Sequence, residues 1–577
     1  MSFIYNGVCL QSFIYRFCLL ISALYGISTS VYAIQTPPKE LRENSLVYCA
    51  RSASLIPNWQ KADASLGINI INQQIYNRLF EQKTNNQLIP SLAKSYSLSA
   101  DGKTLLIKLK RGIKFHHTPW FTPTRNLNAD DVVFSLNRLL GKNTALPELN
   151  EPLNTTLPHS QLAIFNANAK KAFIPYFDSL KLAKKIISIR AVNPYLVEIK
   201  LTSPDASMLS HLAGQYAAIL SYEYALQLAA DDNLAQLYTK PIGTGAYLVK
   251  NHTRDHHIRL VRNPDFWGEA SKIKNIVLDI SSTRSGRLTK FLNHECDILA
   301  LPDPGQVELI KQQPNIQIQS VDDTNLAFLA LNTERPFMQN SQNRQAIALA
   351  INRSRLIRQI YYNTAKVANG LIPQISLTSQ MQITSFAFDY EPKKAGEMLK
   401  SIRSILTKPL IMWVVDEDRV YNPNPVKMAE MIKFDLSQVG VPVKIKIITR
   451  NFLNQQIRSG KSDYDMILTG WQANSLDPDG FLRPILSCQT RHSLANLSNW
   501  CDPQFDNFIM QGLQTDDTLA RALNYDLAQQ LAMQQVPIIP LANASKVIIA
   551  RQTIKGLNLT PFGNVDFSML YFDRGNL

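Results

Sequence analysis

Long apolar runs are nearly missing from this 577-residue chain. After residue 33, no stretch reaches the roughly 20 apolar residues that span a bilayer, which excludes a later transmembrane helix. Cysteine is sparse too, at six. No Cys-x-x-Cys or His-x-x-x-His cluster accompanies it, so the spacing excludes a zinc clip. Charge of one sign is never concentrated. The 60 Lys and Arg outnumber the 45 Asp and Glu for a net +15, yet they are scattered, as at Lys108, Lys110, Arg111 and Lys114. With no basic stripe and no known module, nucleic acid is not an expected partner. The charge reads as a solvated surface, with attraction to anionic membranes as its other use.

Catalytic signatures are equally lacking. The Gly-Lys-Thr within 101–104 would need a glycine at 97 to make a phosphate loop, and Ser97 stands there. "GTGAYL" (243–248) lacks a third glycine and opens no obvious helix, so it reads as a turn. There is no His-Glu-x-x-His and no Gly-x-Ser-x-Gly. His116-His117 and His256-His257 lie beside polar residues and read as surface imidazoles. No catalytic residue, metal or cofactor is expected.

What is present begins with the first 33 residues. Arg16 precedes an apolar run from Phe17 to Ile27, and small residues then lead to Ala33. That is the order of a secretory signal peptide, with cleavage expected after Ala33 and export to the periplasm. Cleavage would remove one base, Arg16, and no acid, leaving a net +14. Cys9 and Cys18 would leave as well. The remaining Cys49, Cys296, Cys488 and Cys501 read as two disulfides in an oxidising compartment. Four cysteines allow three pairings; the local one, Cys488 with Cys501, closes a short loop around "QTRHSLANLSNW".

Composition is ordinarily globular, with 45% hydrophobic and 18% charged residues. The length points to several domains. Strand and helix patterns alternate throughout. "TLLIKLKRGIKF" sets Leu105, Ile107 and Leu109 against Lys108 and Lys110, and "YLVEIKL" sets Val197, Ile199 and Leu201 against Glu198 and Lys200. "NADDVVFSLNRLL" reads as a helix capped by Asn128. "NRQAIALAINRSRLIRQIYY" reads as helical. "MAEMIKFDLSQVG" reads as a helix stopped at Gly440, with the strand "VPVKIKII" behind it. Leu519, Leu523, Leu527 and Leu531 recur every four residues. The stretch from about 141 to 180 is the least patterned. The fold class is α/β.

Residues 468–503 concentrate two of the six Trp and two of the six Cys. Such a segment suits a catalytic loop, a metal clip or a ligand pocket stapled into shape. Asp477 and Asp479 could be a carboxylate pair for acid–base work. Flanking Pro478, they more readily fix a turn.

At "KPIGTGAYLVKNHTRDHHIRLVRNPDFWG" (240–268) the chain resembles the large extracytoplasmic solute-binding proteins of peptide ABC transporters, whose signature is Pro-x-Gly-Thr-Gly … Arg-Asn-Pro-Asp-x-Trp-Gly. "LIPSLAKSYSLSADGKTLLIKLKRGIKFH", "LNADDVVFSLNRL", "NRQAIALAIN" and "YNPNPVKMAEMI" extend the likeness over nearly the whole mature chain. "FTPTRNLNADDVVFS", "RPILSC … NWC" and "TPFGNVDF" are most similar to the SapA-type branch, implicated in uptake of peptides and antimicrobial peptides.

The resemblance implies a two-lobed periplasmic binding protein with an additional domain (type II, cluster C-like) and a ligand cleft between the lobes. The first lobe would comprise 34–82, 205–308 and 543–577, the middle domain 83–204, and the second lobe 309–542. It implies disulfides from Cys49 to Cys296 and from Cys488 to Cys501. Trp471 and Trp413 would line the pocket, and Arg419 would face a ligand carboxylate. Relatives place an Asp three residues beyond the pocket Trp to hold the ligand ammonium; here Asn474 stands there, an amide without charge. A buried ammonium without a paired charge loses several kcal/mol, so blocked, internal or non-peptide ligands would gain, unless Asp477 or Asp479 substitutes. The implied partners are a peptide and the inner-membrane permease subunits, with the protein a monomer that performs no chemistry. Two rivals stand beside this reading: the same build carrying haem or another non-peptide solute, and an exported hydrolase using Asp477 and Asp479.

Overall fold

One strand, Ile538–Arg551, ties the molecule together. At about 3.3 Å per residue its fourteen residues reach roughly 46 Å. Its early half pairs with Asn325–Leu331, and its later half with Ile316–Asp322 and Ile298–Ala300. Pro540 cannot donate to a ladder, and the register against Asn325–Leu331 shifts beside it, between Ala327 and Phe328.

The computed structural model describes residues 45–50, 66–83, 87–141, 179–253, 256–281, 283–376, 388–400, 406, 408–560, 562 and 565–573. The expected leader at 1–33 and most of the unpatterned stretch near 141–180 lie outside them. Among the described residues the long strand belongs to a twelve-stranded sheet. On one side of it the order continues through Asn325–Leu331, Met466–Gln472, Leu410–Val415 and Val443–Ile448. On the other it continues through Ile298–Ala300, Ser45–Ala50, Asn275–Ile280, His257–Arg262 and Tyr247–Thr253. The result is two α/β lobes sharing one strand.

A separate four-stranded sheet, in the order Ala93–Leu98, Thr104–Leu109, Leu196–Leu201 and Ile186–Asn193, carries the helix Ala129–Leu140. Leu105, Ile107 and Leu109 are buried and Lys108 is exposed, as the alternation requires. The helix starts on a capping box. Asn128 Oδ1 accepts from Asp130 N–H at 3.0 Å, and Asp131 accepts from Asn128 N–H at 2.9 Å. Such a cap stabilises by about 1 kcal/mol.

The two disulfides join Cys49 to Cys296 and Cys488 to Cys501. The first sits in a small apolar cluster with Phe291, Leu299 and Ile549.

The structure refines two patterns and overturns a third reading. "NRQAIALAINRSRLIRQIYY" breaks into two helices, Ser341–Ala350 and Arg353–Ile360, because Asn352 Oδ1 accepts from Arg355 N–H and caps a new one. In the helix Thr518–Gln535 the leucine stripe is not the core face. Leu519 and Leu523 are exposed, while Ala522, Tyr525, Ala528 and Ala532 are buried. His116, read as a surface imidazole, is wholly buried. Its Nε2 donates to Gly245 O at 3.0 Å and its Nδ1 accepts from Gly243 N–H at 3.3 Å, one neutral tautomer serving both. The same glycines press on the chain: a Cβ on Gly243 would stand 2.0 Å from Ile75 O, and one on Gly245 would stand 2.2 Å from Gln74 O. The Gly-Thr-Gly turn is thus a packing joint.

Candidate functional site

The strand Met466–Gln472 delivers Gly470 and Trp471 to the junction of the lobes. Gly470 has no Cβ to obstruct the Tyr421 ring, whose Cδ2 would lie 2.3 Å from one. That absence docks the loop carrying Arg419 beside the strand carrying Trp471. The indole of Trp471 donates to Gly480 O at 2.8 Å and curls the following segment back onto itself. Gln472 points the other way and donates to Asp323 at 3.1 Å. Asp323 also pairs with Lys546 at 3.1 Å, both side chains being buried. This buried pair marks the crossover between lobes, where the long strand changes partners. Asn474 is largely buried, with its carbonyl against Gly214.

Asp477 and Asp479, considered above as spare ligand charges or an acid–base pair, are already neutralised. Asp477 accepts from Arg521 Nη2 at 2.8 and 3.1 Å. Asp479 accepts from Arg483 Nε at 2.7 and 3.0 Å. Arg483 then reaches across to donate to Leu180 O at 2.6 Å. Burial alone would push the Asp479 carboxyl up, but the Arg483 guanidinium outweighs it and holds it down to about 2. His211 lies alongside, 4.0 Å from Asp479, bonded to Ser207 Oγ at 3.1 Å and Tyr216 OH at 2.9 Å. A neutral His next to a Ser suggests hydrolysis, but Ser207 is fully buried, so no substrate reaches it. These acids are scaffold, and the hydrolase reading loses its residues.

Trp413, expected as a pocket aromatic, is also enclosed. It is 0% exposed, with Tyr464 at 5.1 Å, Phe452 at 5.5 Å and Lys446 Nζ 5.0 Å from its ring. On the strand Leu410–Val415 it alternates with Met412 and Val414, whose side chains enter the opposite core. Neighbouring side chains take the contacts a ligand would make.

Arg419 does stand at the junction, and it is half-buried. Its Nη2 meets Glu417 Oε1 at 2.5 Å, and Glu417 Oε2 meets Arg450 Nη2 at 3.0 Å. Next to it, Arg284 contacts Asp303 at 2.7 Å on its own lobe. It also pairs with Asp418 and donates to Pro423 O at 3.2 Å on the other. Sequence reasoning missed Glu417, Asp418, Arg284 and Arg450. The readable signal was "DEDR" directly after an apolar strand, where alternating charge has no core to enter. An open recess also flanks the crossover, lined by Asp322, Lys366, Asn369, Gln529 and Asn543, and none of the six expected ligand residues lines it. Among the described residues, no cluster of three or more His, Cys, Asp or Glu could hold a metal.

Comparison with known proteins gives this arrangement its context. Residues 87–493 match the family described as "Bacterial extracellular solute-binding proteins, family 5 Middle". The chain belongs to bacterial extracellular solute-binding protein family 5. This family 5 chain is 49% identical over 548 residues to the peptide transport periplasmic protein SapA of Haemophilus influenzae, covering 94% of this chain and 96% of that protein. It is 37% identical over 560 residues to the probable ABC transporter periplasmic-binding protein SapA of Escherichia coli, covering 96% and 97%. A dipeptide-binding protein from Pseudoalteromonas solved with Met-Leu superposes with a TM-score of 0.76 at 30% identity, covering 92% of this chain and 100% of that one.

Proposed function

We propose that this family 5 protein captures peptides between its two lobes and delivers them, chemically unchanged, to the permease subunits of an ABC transporter. The observation that carries the reading is a 49% identity to a peptide transport protein sustained over 94% of the chain. The leader ending at Ala33 exports it to the periplasm, where it works as a monomer. The first lobe takes 34–82, 205–308 and 543–577, the middle domain 83–204, and the second lobe 309–542.

An extended peptide lies across the junction, bonding through its main chain as an added strand. Water fills the space that differing side chains leave, which permits broad specificity. Closure around the guest is the state the permease recognises. Arg419, Trp471 and Asn474 carry the contacts. Trp413, Asp477 and Asp479 hold the scaffold that positions them.

The test is native mass spectrometry of the protein taken from the periplasm, followed by peptide titration with X-ray scattering. Peptide cargo and a smaller radius of gyration on addition support the reading. Visible absorbance from bound haem, or profiles identical across a broad peptide library with no cargo, overturn it. Asn474→Asp is expected to tighten binding of a free-amino tetrapeptide by about tenfold, as a restored counter-charge should.

A further inference from the structure

The loop after the strand Leu410–Val415 reads Asp416-Glu417-Asp418-Arg419. Glu417 engages both of its oxygens. Oε1 meets Arg419 Nη2 at 2.5 Å, while Oε2 meets Arg450 Nε at 3.1 Å and Nη2 at 3.0 Å. Its backbone is fixed too, with Glu417 N–H donating to Val415 O at 2.9 Å. Burial works against its charge, but the guanidiniums of Arg419 and Arg450 prevail and keep the carboxyl below its usual range. The Arg284–Asp418 contact anchors the same loop to the opposite lobe. Glu417 is therefore a resident carboxylate on Arg419, the arginine proposed above to contact the peptide.

We infer that Glu417 determines ligand class: it neutralises Arg419, so that the cleft accepts peptides with an amidated C-terminus, or chains continuing past the site, as readily as short free acids. The inference rests on the peptide reading above. Glu417 divides its two oxygens between Arg419 and the more exposed Arg450, which water screens. A guanidinium without a resident acid would hold a ligand carboxylate by a charge-assisted, bidentate contact. Asn474, proposed above as a ligand contact, offers an amide and no charge. Neither terminus of a peptide then finds an unbalanced partner, and recognition falls to the main chain.

The experiment is native mass spectrometry of the mature chain against an equimolar mixture of the free-acid and carboxamide forms of one tetrapeptide library. The unsubstituted protein is expected to retain both forms within about twofold of each other, and Glu417→Gln to shift the ratio about tenfold toward the free acid. Arg450→Gln, which leaves Glu417 on Arg419, should keep the unsubstituted ratio. An unsubstituted protein already favouring the free acid about tenfold, or a Glu417→Gln ratio unchanged from it, overturns the inference while leaving peptide capture intact. If neither protein retains any peptide although both unfold cooperatively, peptide capture itself falls, and this inference with it.

Discussion

The acid–arginine contacts of the 477–483 segment and those of the 416–419 loop use the same chemistry with opposite consequences. Asp479 and Arg483 are 0% and 5% exposed, whereas Glu417, Arg419 and Arg450 are 34%, 21% and 37% exposed. In the dry setting an ion pair is obligatory, since either partner alone would be a buried charge. In the half-wet setting water can replace a partner, so the pair adds little stability while still setting the charge that a ligand meets. Burial, more than the pairing itself, separates scaffold from site.

The largest expected effect breaks the dry side of that contrast. Asp479→Ala strands Arg483 in the core and should cost roughly 3–5 kcal/mol in denaturant unfolding. Glu417→Ala should cost about 1 kcal/mol or less. Equal losses for the two variants would erase the distinction.

Acid sharpens it next. Asp479 stays ionised to about 2, so its pair survives mild acidification. His116 does not share that tolerance. Burial lowers it from 6.5 to about 4, outweighing the bond to Gly245 O that favours a proton, and the N–H of Gly243 occupies Nδ1, where that proton would have to sit. Between those values the unfolded chain binds a proton that the folded chain refuses, so stability falls as pH drops from 6.5 and the loss is complete below about 4. At about 1.4 kcal/mol per pH unit the loss approaches roughly 3 kcal/mol. A pH series of urea unfolding should show it, and His116→Gln should flatten the slope. An equally steep slope in that variant would place the proton elsewhere.

How far the sequence reveals this contrast depends on what each residue touches. Alternation in "TLLIKLK" and the cap at Asn128 are local signals, and their strand and helix stand where the pattern puts them. Gly470 and Trp471 are legible as neighbours, but the Tyr421 ring that fills the space above Gly470 comes from a loop 49 positions earlier. Asp477 and Asp479 look available until Arg521, 44 residues away, and Arg483, one helical turn on, reach them. His116 fails for the same reason: polar neighbours in the chain say nothing of Gly243 and Gly245 in space. Motifs announce the family and the segment, while burial and partner choice are set by distant chain, and those decide function.

The smallest expected effect lies at the half-wet boundary between the lobes. Arg284 is 41% exposed and Asp418 29% exposed, so Arg284→Ala should change global unfolding by less than about 1 kcal/mol. The contact nevertheless joins residues on opposite lobes, and a domain-closure equilibrium responds to the same energy on a much shallower scale. A bias of about 1 kcal/mol changes an open-to-closed ratio roughly fivefold. Scattering of the ligand-free Arg284→Ala protein should therefore report a larger radius of gyration at unchanged melting temperature, and Asp418→Ala a smaller increase, because it leaves the Arg284 bond to Pro423 O in place. Adding Asp418→Ala to Arg284→Ala should change nothing further, because the ion pair they share is already gone. A melting temperature that falls while the radius stays constant would move this pair to the dry side of the comparison, as another piece of scaffold.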